Sequence, residues 1–287
     1  MSMLLLKAMV YVFALIPDPV AMQLARVLNV FFYPRLKKGK WKYVKTHKVI
    51  PKLFPEKDNR WQKQVIKQNS LHYMKLMMEI LKTRFTTKRG GRKKIYIKKG
   101  KEYFERLLAS GDGFVILTGH FGNFEYAAGY IGTFYRPVYA PVSVSDTKGS
   151  RVMNWIREGH NVNMIEVRSK ARASARALLE MMQLLNRGEI LFLVTDQKGT
   201  GGDFRGTLFG KELKLYGGPF ILGQRTGKPF LPMYTVRDEK NRIAIHFLPP
   251  FYLDGADLES DVRKVTGFFE RVMRVHPDQY LWDRDRW

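Results

Sequence analysis

The sequence predicts an α/β fold, in which a mixed, largely parallel sheet is flanked by helices and preceded by an N-terminal membrane-associated helical segment. Three observations lead to this prediction. Short apolar runs alternate with amphipathic stretches from residue 94 to the end of the chain. Glycines stand where many of those amphipathic stretches end, as is typical of helix C-termini. Finally, two apolar stretches separated by prolines open the chain. Alternation on this scale is typical of strands sandwiched between helices.

Composition restricts the protein class and the kind of partner. With 45% hydrophobic and 13% aromatic residues in 287, the chain can bury a full core, which excludes general disorder. It has 50 Lys and Arg against 26 Asp and Glu, a formal net charge of +24. Anionic partners are therefore expected, namely nucleic acid, acidic lipid headgroups or an acidic protein. The absence of cysteine excludes disulfides, thiol catalysis and cysteine-ligated metals.

The composition of the N-terminal segment predicts that it associates with a membrane. Residues 3–16 are apolar apart from Lys7, and a second apolar stretch, 20–33, follows Pro17-Asp18-Pro19. A spanning helix needs about 20 apolar residues, so neither stretch is long enough alone. Residues 1–33 are therefore predicted to form a kinked anchor or a helical hairpin in one leaflet. A pair of buried core helices is the alternative.

A basic helical region is predicted to follow, over residues 34–93. Its first part, 35–48, carries basic side chains with Trp41 and Tyr43 between them and no acid, a pattern that suits anionic headgroups. Residues 60–82 have helical periodicity and are interpreted as core or as the lining of a site for a flexible ligand. Gly90-Gly91, inside a second basic run, predicts a loop and the boundary to a third segment, 94–287, the α/β domain.

Within that domain the patterns predict seven strands and six helices. An irregular glycine-rich stretch follows the fifth strand. The predicted strands are 94–98, 114–118, 137–142, 162–167, 190–194, 230–236 and 242–248. The predicted helices are 101–110, 123–135, 147–159, 169–187, 216–226 and 257–275.

The turn after the strand at 114–118 carries the main catalytic candidates. His120 lies just past the strand end, where α/β folds place their ligands, and Glu125 follows in the predicted helix. Five helical positions would rotate Glu125 by about 140° from His120, so the two can meet only if His120 precedes the helix, which Gly119 and Gly122 allow. The carboxylate could then fix the imidazole tautomer and leave the other ring nitrogen as a base. Amides at the helix start could bind an oxyanion or a phosphate.

Other polar residues are candidates for substrate binding. Asp196 and Gln197 end a buried strand, which favours a site role over helix capping. Asn123 could anchor the turn or contact substrate, and the turn is favoured. Arg168 and Arg205 lie in or beside loops and could bind phosphate, although an arginine in so basic a chain is more commonly a solvated surface charge.

The motif TGHFGNFE, residues 118–125, resembles the HxxxxD/E box of the glycerolipid acyltransferase superfamily. More narrowly, GHFGNFE resembles the GHxGNWE form of the bacterial lipid A biosynthesis acyltransferases, also called late or secondary acyltransferases. Further segments resemble that family in the same order, among them 193–197 (LVTDQ) and the closing 276–287 (HPDQYLWDRDRW). The resemblance covers about residues 100–287, and the motifs are specific as a set.

The resemblance implies transfer of a fatty acyl chain from a thioester donor to a hydroxyl of a membrane glycolipid. The donor would be acyl carrier protein or acyl-CoA, used as a co-substrate, and no cofactor is implied. His120 would be the general base and Glu125 its orienting carboxylate. The implied location is the cytoplasmic face of the bacterial inner membrane. Basic surfaces would steer an acidic carrier protein, a phosphorylated acceptor and anionic lipids.

The chain also departs from the family pattern. Where an Arg-Pro pair is expected, residues 139–142 read Tyr-Ala-Pro-Val, so Arg151 or Arg157 would have to supply that charge. Acceptors other than a lipid A precursor therefore stay open: a glycosylated diacylglycerol, a phosphatidylinositol mannoside or a lysophospholipid. Two other classes are a basic nucleic-acid-binding protein and a non-catalytic membrane scaffold. The first leaves the apolar N-terminus unexplained, and the His–Glu pair argues against the second; no nucleic-acid partner is expected.

Overall fold

A seven-stranded sheet forms the centre of the computed structural model, which describes residues 3–37, 45–85, 88–143, 147–167, 171–196 and 204–282. The strands of this sheet are β1 (Ile95–Lys99), β2 (Phe114–Thr118), β3 (Val138–Ser143), β4 (Val162–Val167), β5 (Ile190–Val194), β8 (Phe230–Arg237) and β9 (Ile243–Phe247). A separate antiparallel hairpin consists of β6 (Arg205–Leu208) and β7 (Lys211–Lys214).

Helices cover the sheet, and five of the described helices precede its first strand in the chain. Before the sheet lie α1 (Met3–Leu15), α2 (Asp18–Lys37), α3 (Thr46–Leu53), α4 (Asn59–Thr83) and α5 (Lys88–Lys94). Between and after the strands lie α6 (Lys101–Ser110), α7 (Phe124–Phe134), α8 (Lys148–Glu158), α9 (Ala171–Asn186), α10 (Gly218–Thr226), α11 (Leu258–Val275) and a single 3₁₀ turn, Pro277–Gln279.

The strand order confirms a mixed, largely parallel sheet. From one edge to the other it is β1-β9-β8-β2-β5-β3-β4. The five strands from β8 to β4 run in one direction. Strand β9 is antiparallel to β8, and β1 pairs in parallel with β9. The carboxyl ends of β2 and β5 therefore lie side by side in the middle of the sheet, where the candidate residues are found.

The core lies on both faces of this sheet because side chains alternate along each strand. Val115 and Leu117 of β2 face a cluster that includes α9 and α11, whereas Phe114 and Ile116 face α6 and α7. The predicted helix over 60–82 is α4, and several members of its apolar stripe are buried or partly buried against these clusters, including Val65.

The N-terminal helices form a bent pair held against α4. Helix α1 meets α2 at an angle of 114°. Neither helix alone is long and apolar enough to cross a membrane, whereas the pair together meets the length and composition that a broken span requires. Lys82 donates to the carbonyl of Ile16 and lies 2.5 Å from Asp18, which Lys94 also contacts at 2.6 Å. Burial alone would raise the pKa of Asp18, but the two lysines lower it.

Two local predictions were wrong or incomplete. The predicted loop at Gly90-Gly91 belongs to helix α5; Gly91 is buried beside α7, so the missing side chain serves close packing rather than a turn. The stretch expected to be irregular contains the β6–β7 hairpin, which turns at Phe209 and Gly210, both with positive φ.

Candidate functional site

The catalytic candidate His120 lies in a tight turn between the end of β2 and the start of α7. Two glycines make this turn possible. A Cβ on Gly119 would lie 3.0 Å from the Asp196 side chain and 2.7 Å from the Phe121 ring. Gly122 has φ of 55°, and a Cβ there would lie 2.3 Å from the carbonyl oxygen of Thr235. Only glycine can be accommodated at these two positions, and the turn therefore places His120 in contact with the residue that follows β5.

His120 is paired with Asp196 rather than with Glu125. Its Nδ1 lies 2.7 Å from Oδ1 of Asp196, and its backbone N–H donates to the other carboxylate oxygen at 3.2 Å. The Asp196 side chain is fully buried, and the imidazole is 16% exposed. The expected hydrogen bond between Glu125 and the imidazole is therefore corrected: the carboxylate that meets Nδ1 comes from the neighbouring strand.

Glu125 forms a two-point ion pair with Arg157 of α8. Nε of Arg157 donates to Oε2 at 2.9 Å, and Nη2 donates to Oε1. Burial of Arg157 opposes its charge, but hydrogen bonds and attraction to Glu125 raise the pKa of the guanidinium. Of the two arginines considered as replacements for the family's Arg-Pro arginine, Arg157 thus lies against the motif's carboxylate, whereas Arg151 is exposed.

A small cavity of about 10 Å³, room for about one water molecule, lies beside the ion pair, between α4, α7 and α8. Most of its lining is apolar, and the charges of Glu125 and Arg157 form part of the wall. The lining residues are Ile80, Thr83, Glu125, Gly129, Met153, Ile156, Arg157, His160 and Val162. Burial lowers the pKa of His160, which is hydrogen-bonded to the carbonyl of Thr83, so this histidine is a neutral structural group.

Asn123 anchors the start of α7. Its Oδ1 accepts the N–H of Tyr126 at 3.0 Å, as an N-cap residue does. Its Nδ2 donates to Glu79 of α4 at 2.9 Å, and Glu79 in turn pairs with Arg237 of β8, with 2.6 Å between Oε2 and Nη2. Asn123 is 1% exposed, so its amide belongs to the turn, as favoured from the sequence, and not to a substrate surface.

Of the other sequence candidates that the structure describes, Arg205 does not join this group. Arg205 begins β6, with 61% of its side chain exposed, and pairs with Glu212 across the hairpin. Arg168 and Gln197 lie outside the described residues. Within the described ranges, no group of three His, Asp or Glu side chains is arranged to hold a metal ion.

The sequence did not predict three residues of the site: Glu79 and Arg237 had no signal, and Tyr280 lies in the closing motif but was given no role. Glu79 and Arg237 support Asn123, and the hydroxyl of Tyr280 contacts Asp196. Glu79 lies in a helix that precedes the sheet, and the other two lie far along the chain from His120. An acid in a helix and an arginine in a strand have no spacing that marks them, and the closing motif does not indicate which residue Tyr280 contacts, so only the folded chain reveals these contacts.

The sequence profile of the bacterial lipid A biosynthesis acyltransferases matches residues 2–287, nearly the whole chain. The comparison of this chain with curated proteins found no match. The chain therefore belongs to the bacterial lipid A biosynthesis acyltransferase family.

Proposed function

We propose that this member of the family is a membrane-associated O-acyltransferase that uses His120 as its general base. Family membership implies acyl transfer to a lipid A-like acceptor. In the proposed reaction, a fatty acyl chain moves from a thioester, carried by acyl carrier protein or coenzyme A, to a hydroxyl of the glycolipid. Glycosylated diacylglycerol, phosphatidylinositol mannoside and lysophospholipid are the other acceptors to test.

The pairing of His120 with Asp196 is the observation that carries this proposal. A buried carboxylate 2.7 Å from Nδ1 holds a proton on that nitrogen and directs the Nε2 lone pair away from the carboxylate. The partial exposure of the imidazole leaves it within reach of a substrate. Asp196 thus takes the orienting role that the motif resemblance implies for Glu125.

Acyl transfer then needs one proton transfer in each direction. The imidazole removes the proton from the acceptor hydroxyl as its oxygen attacks the thioester carbonyl, giving a tetrahedral oxyanion. Collapse of this intermediate forms the ester and breaks the C–S bond, and the imidazolium returns the proton to the departing thiolate. Asp196 stabilises the transient imidazolium, as the carboxylate of a catalytic triad does. The first-turn amides of α7 supply positive dipole charge for the oxyanion.

The Glu125–Arg157 pair serves the substrates in this proposal. The bidentate bond holds the guanidinium, which is 22% exposed, against the first turn of α7, and a fixed cation there attracts an anionic group of donor or acceptor. Glu125 thereby acts on the reaction through Arg157 and through the electrostatics of the motif.

The N-terminal pair of helices is the proposed membrane contact. Large apolar side chains are exposed along both α1 and α2, including Leu4 at 79%, Leu15 at 83%, Val30 at 67% and Phe31 at 62%. An apolar surface of this kind favours insertion into a lipid interface. Since Lys82 holds the bend between the helices, insertion would fix the orientation of the site relative to the cytoplasmic face of the bacterial inner membrane.

The test compares wild-type protein with His120→Ala in vesicles that contain an under-acylated lipid A precursor. Acyl carrier protein and coenzyme A thioesters are supplied in separate reactions, and products are identified by mass spectrometry as a gain of one acyl mass. We expect the variant to lose at least about 10³-fold in turnover, because the base and its orienter act as a unit. Vesicle flotation and the melting temperature should stay unchanged.

His47→Ala, on helix α3, is the matched histidine control and should keep wild-type turnover. Near-normal acyl transfer by a folded His120→Ala protein would exclude the proposed mechanism. A mass gain on another lipid in membranes with the gene, compared with membranes without it, would replace the proposed acceptor.

A further inference from the structure

The C-terminal segment, residues 276–282, lies against the His120 turn. The backbone N–H of Leu281 donates to the carbonyl of His120 at 3.0 Å, and the N–H of Gly122 donates to the carbonyl of Gln279 at 2.7 Å. Phe121 and Tyr280 form an antiparallel bridge between these two contacts. The turn that carries the proposed base is therefore paired along its backbone with the end of the chain.

The side chain of Tyr280 extends this contact to the proposed acid–base pair. Its hydroxyl lies 2.5 Å from Oδ2 of Asp196, whose Oδ1 lies 2.7 Å from Nδ1 of His120. Tyr280 is 1% exposed, and the Asp196 side chain is fully buried. An ionised carboxylate only accepts hydrogen bonds, so the phenol is the donor, and the bond is of the short, charge-assisted kind.

We propose that Tyr280 is a positioning residue for acyl transfer, acting through Asp196 on His120. This inference rests on the proposed role of His120. The phenol holds Oδ2, so that the carboxylate cannot rotate, and Oδ1 stays in the plane needed to fix the imidazole tautomer. The phenolic proton also stabilises the negative charge of Asp196 in a site closed to water.

Other contacts hold Tyr280 in place. Nδ2 of Asn69, on α4, donates to the carbonyl of Tyr280 at 2.9 Å and to that of Asp278 at 3.0 Å. The Tyr280 ring packs against Phe121, with 5.1 Å between ring centroids. The hydroxyl is thus directed at Asp196 by a backbone and a ring that are fixed independently of it, which is what a positioning role requires.

The test is Tyr280→Phe, which removes one oxygen atom and keeps the ring contacts. We expect kcat to fall about 10- to 100-fold, the loss typical of a hydrogen bond to a charged group. KM for the thioester and for the glycolipid should stay within about twofold, because Tyr280 contacts neither substrate in this proposal.

Two further variants separate positioning from general stability. In an Asp196→Ala background, Tyr280→Phe should change kcat less than about twofold, since the group through which it acts is gone. Tyr96→Phe is the matched control: the hydroxyl of Tyr96, on the edge strand β1, also donates to a carboxylate, that of Asp238, at 3.2 Å. This variant should keep wild-type kcat even where it lowers the melting temperature.

Full kcat in Tyr280→Phe would overturn the inference, as would an equal kcat loss in Tyr96→Phe or an undiminished loss in the Asp196→Ala background. These outcomes are distinct from failure of the proposed function. If His120→Ala is inactive and Tyr280→Phe is fully active, only the role of Tyr280 falls; if His120→Ala is active, the catalytic role of His120 falls with it.

Discussion

The carboxylates of Asp196 and Glu125 both belong to the His120 site, but they bond to different basic groups. Asp196 follows β5, has a fully buried side chain and meets the imidazole. Glu125 lies in the first turn of α7, is 12% exposed and meets the guanidinium of Arg157. In the proposed reaction the two carboxylates therefore have different roles: Asp196 orients the base, and Glu125 holds the cation of Arg157 in place.

Sheet register explains why Asp196 reaches the histidine. Thr118 of β2 pairs with Val194 of β5. His120 and Asp196 each follow two residues after these partners, so parallel neighbours bring them to the same height above the sheet. Glu125, five residues beyond His120, has already entered the helix and is turned toward α8. Separation along the chain is thus a poorer guide to pairing here than strand order.

The sharpest test of this difference in role is Asp196→Asn. The amide keeps the shape but can present an N–H to the imidazole, which selects the wrong tautomer. We expect kcat to fall by about 10³- to 10⁴-fold, as expected for loss of an orienting carboxylate, with little change in substrate KM. Steady-state kinetics with the same thioester and glycolipid measure both quantities.

The control for Asp196→Asn is Asp112→Asn, at a carboxylate that is 68% exposed and paired with Lys228. It should retain turnover within about twofold. If Asp196→Asn kept more than a tenth of wild-type kcat, the carboxylate would have no orienting role. The proposed difference in role between Asp196 and Glu125 would then be wrong.

Glu125→Gln should have a smaller effect of a different kind. We expect a loss of about 30- to 100-fold in kcat/KM, with a large part in KM, because Arg157 loses its bidentate partner and its fixed position. Arg157→Gln should lower kcat/KM less in the Glu125→Gln background than in the wild-type protein, since the effects of substitutions at paired residues are not additive. Kinetics of the two single variants and the double variant measure this coupling.

Glu212→Gln, in the exposed pair with Arg205, serves as the control for Glu125→Gln and should be neutral. A loss confined to kcat and as deep as that of Asp196→Asn would mean that both carboxylates act on the proton. The proposed difference in role would then be wrong.

Most of the fold followed from local patterns. Each predicted strand from 94 to 248 corresponds to an observed one, because buried parallel strands are marked by apolar runs with turns at both ends. The β6–β7 hairpin was missed because its four-residue strands, RGTL and KELK, are partly exposed and carry charges. Helix α5 was missed because a pair of glycines has the same appearance in a turn and in a close helix contact.

The site could be predicted only in part. His120 and Asp196 were both identified as site candidates because each follows the carboxyl end of a predicted strand. Their pairing was not predicted, because it depends on β2 and β5 being neighbours, and strand order is a tertiary property. The same holds for Tyr280, which meets Asp196 through a segment at the far end of the chain.

Glu79 is a third carboxylate near the turn and provides the contrast for the other two. It pairs with Arg237, with side chains 9% and 7% exposed, and accepts a hydrogen bond from Asn123. Its partners are structural, so its loss should affect stability rather than chemistry.

Glu79→Gln should therefore change kcat per folded molecule by no more than about threefold, the smallest of these effects on turnover. The uncharged amide leaves the buried Arg237 without its counter-charge, which costs about 3–5 kcal/mol and lowers the melting temperature by about 6–10 °C. Arg205→Gln, which breaks an exposed pair, should cost less than about 1 kcal/mol. Thermal unfolding and turnover measured on the same samples separate the two quantities. A large loss of kcat in Glu79→Gln with an unchanged melting temperature would show that this carboxylate acts in the reaction. Its hydrogen bond with Asn123 would then be the route by which it affects the His120 turn, and its role would no longer differ from those of Asp196 and Glu125.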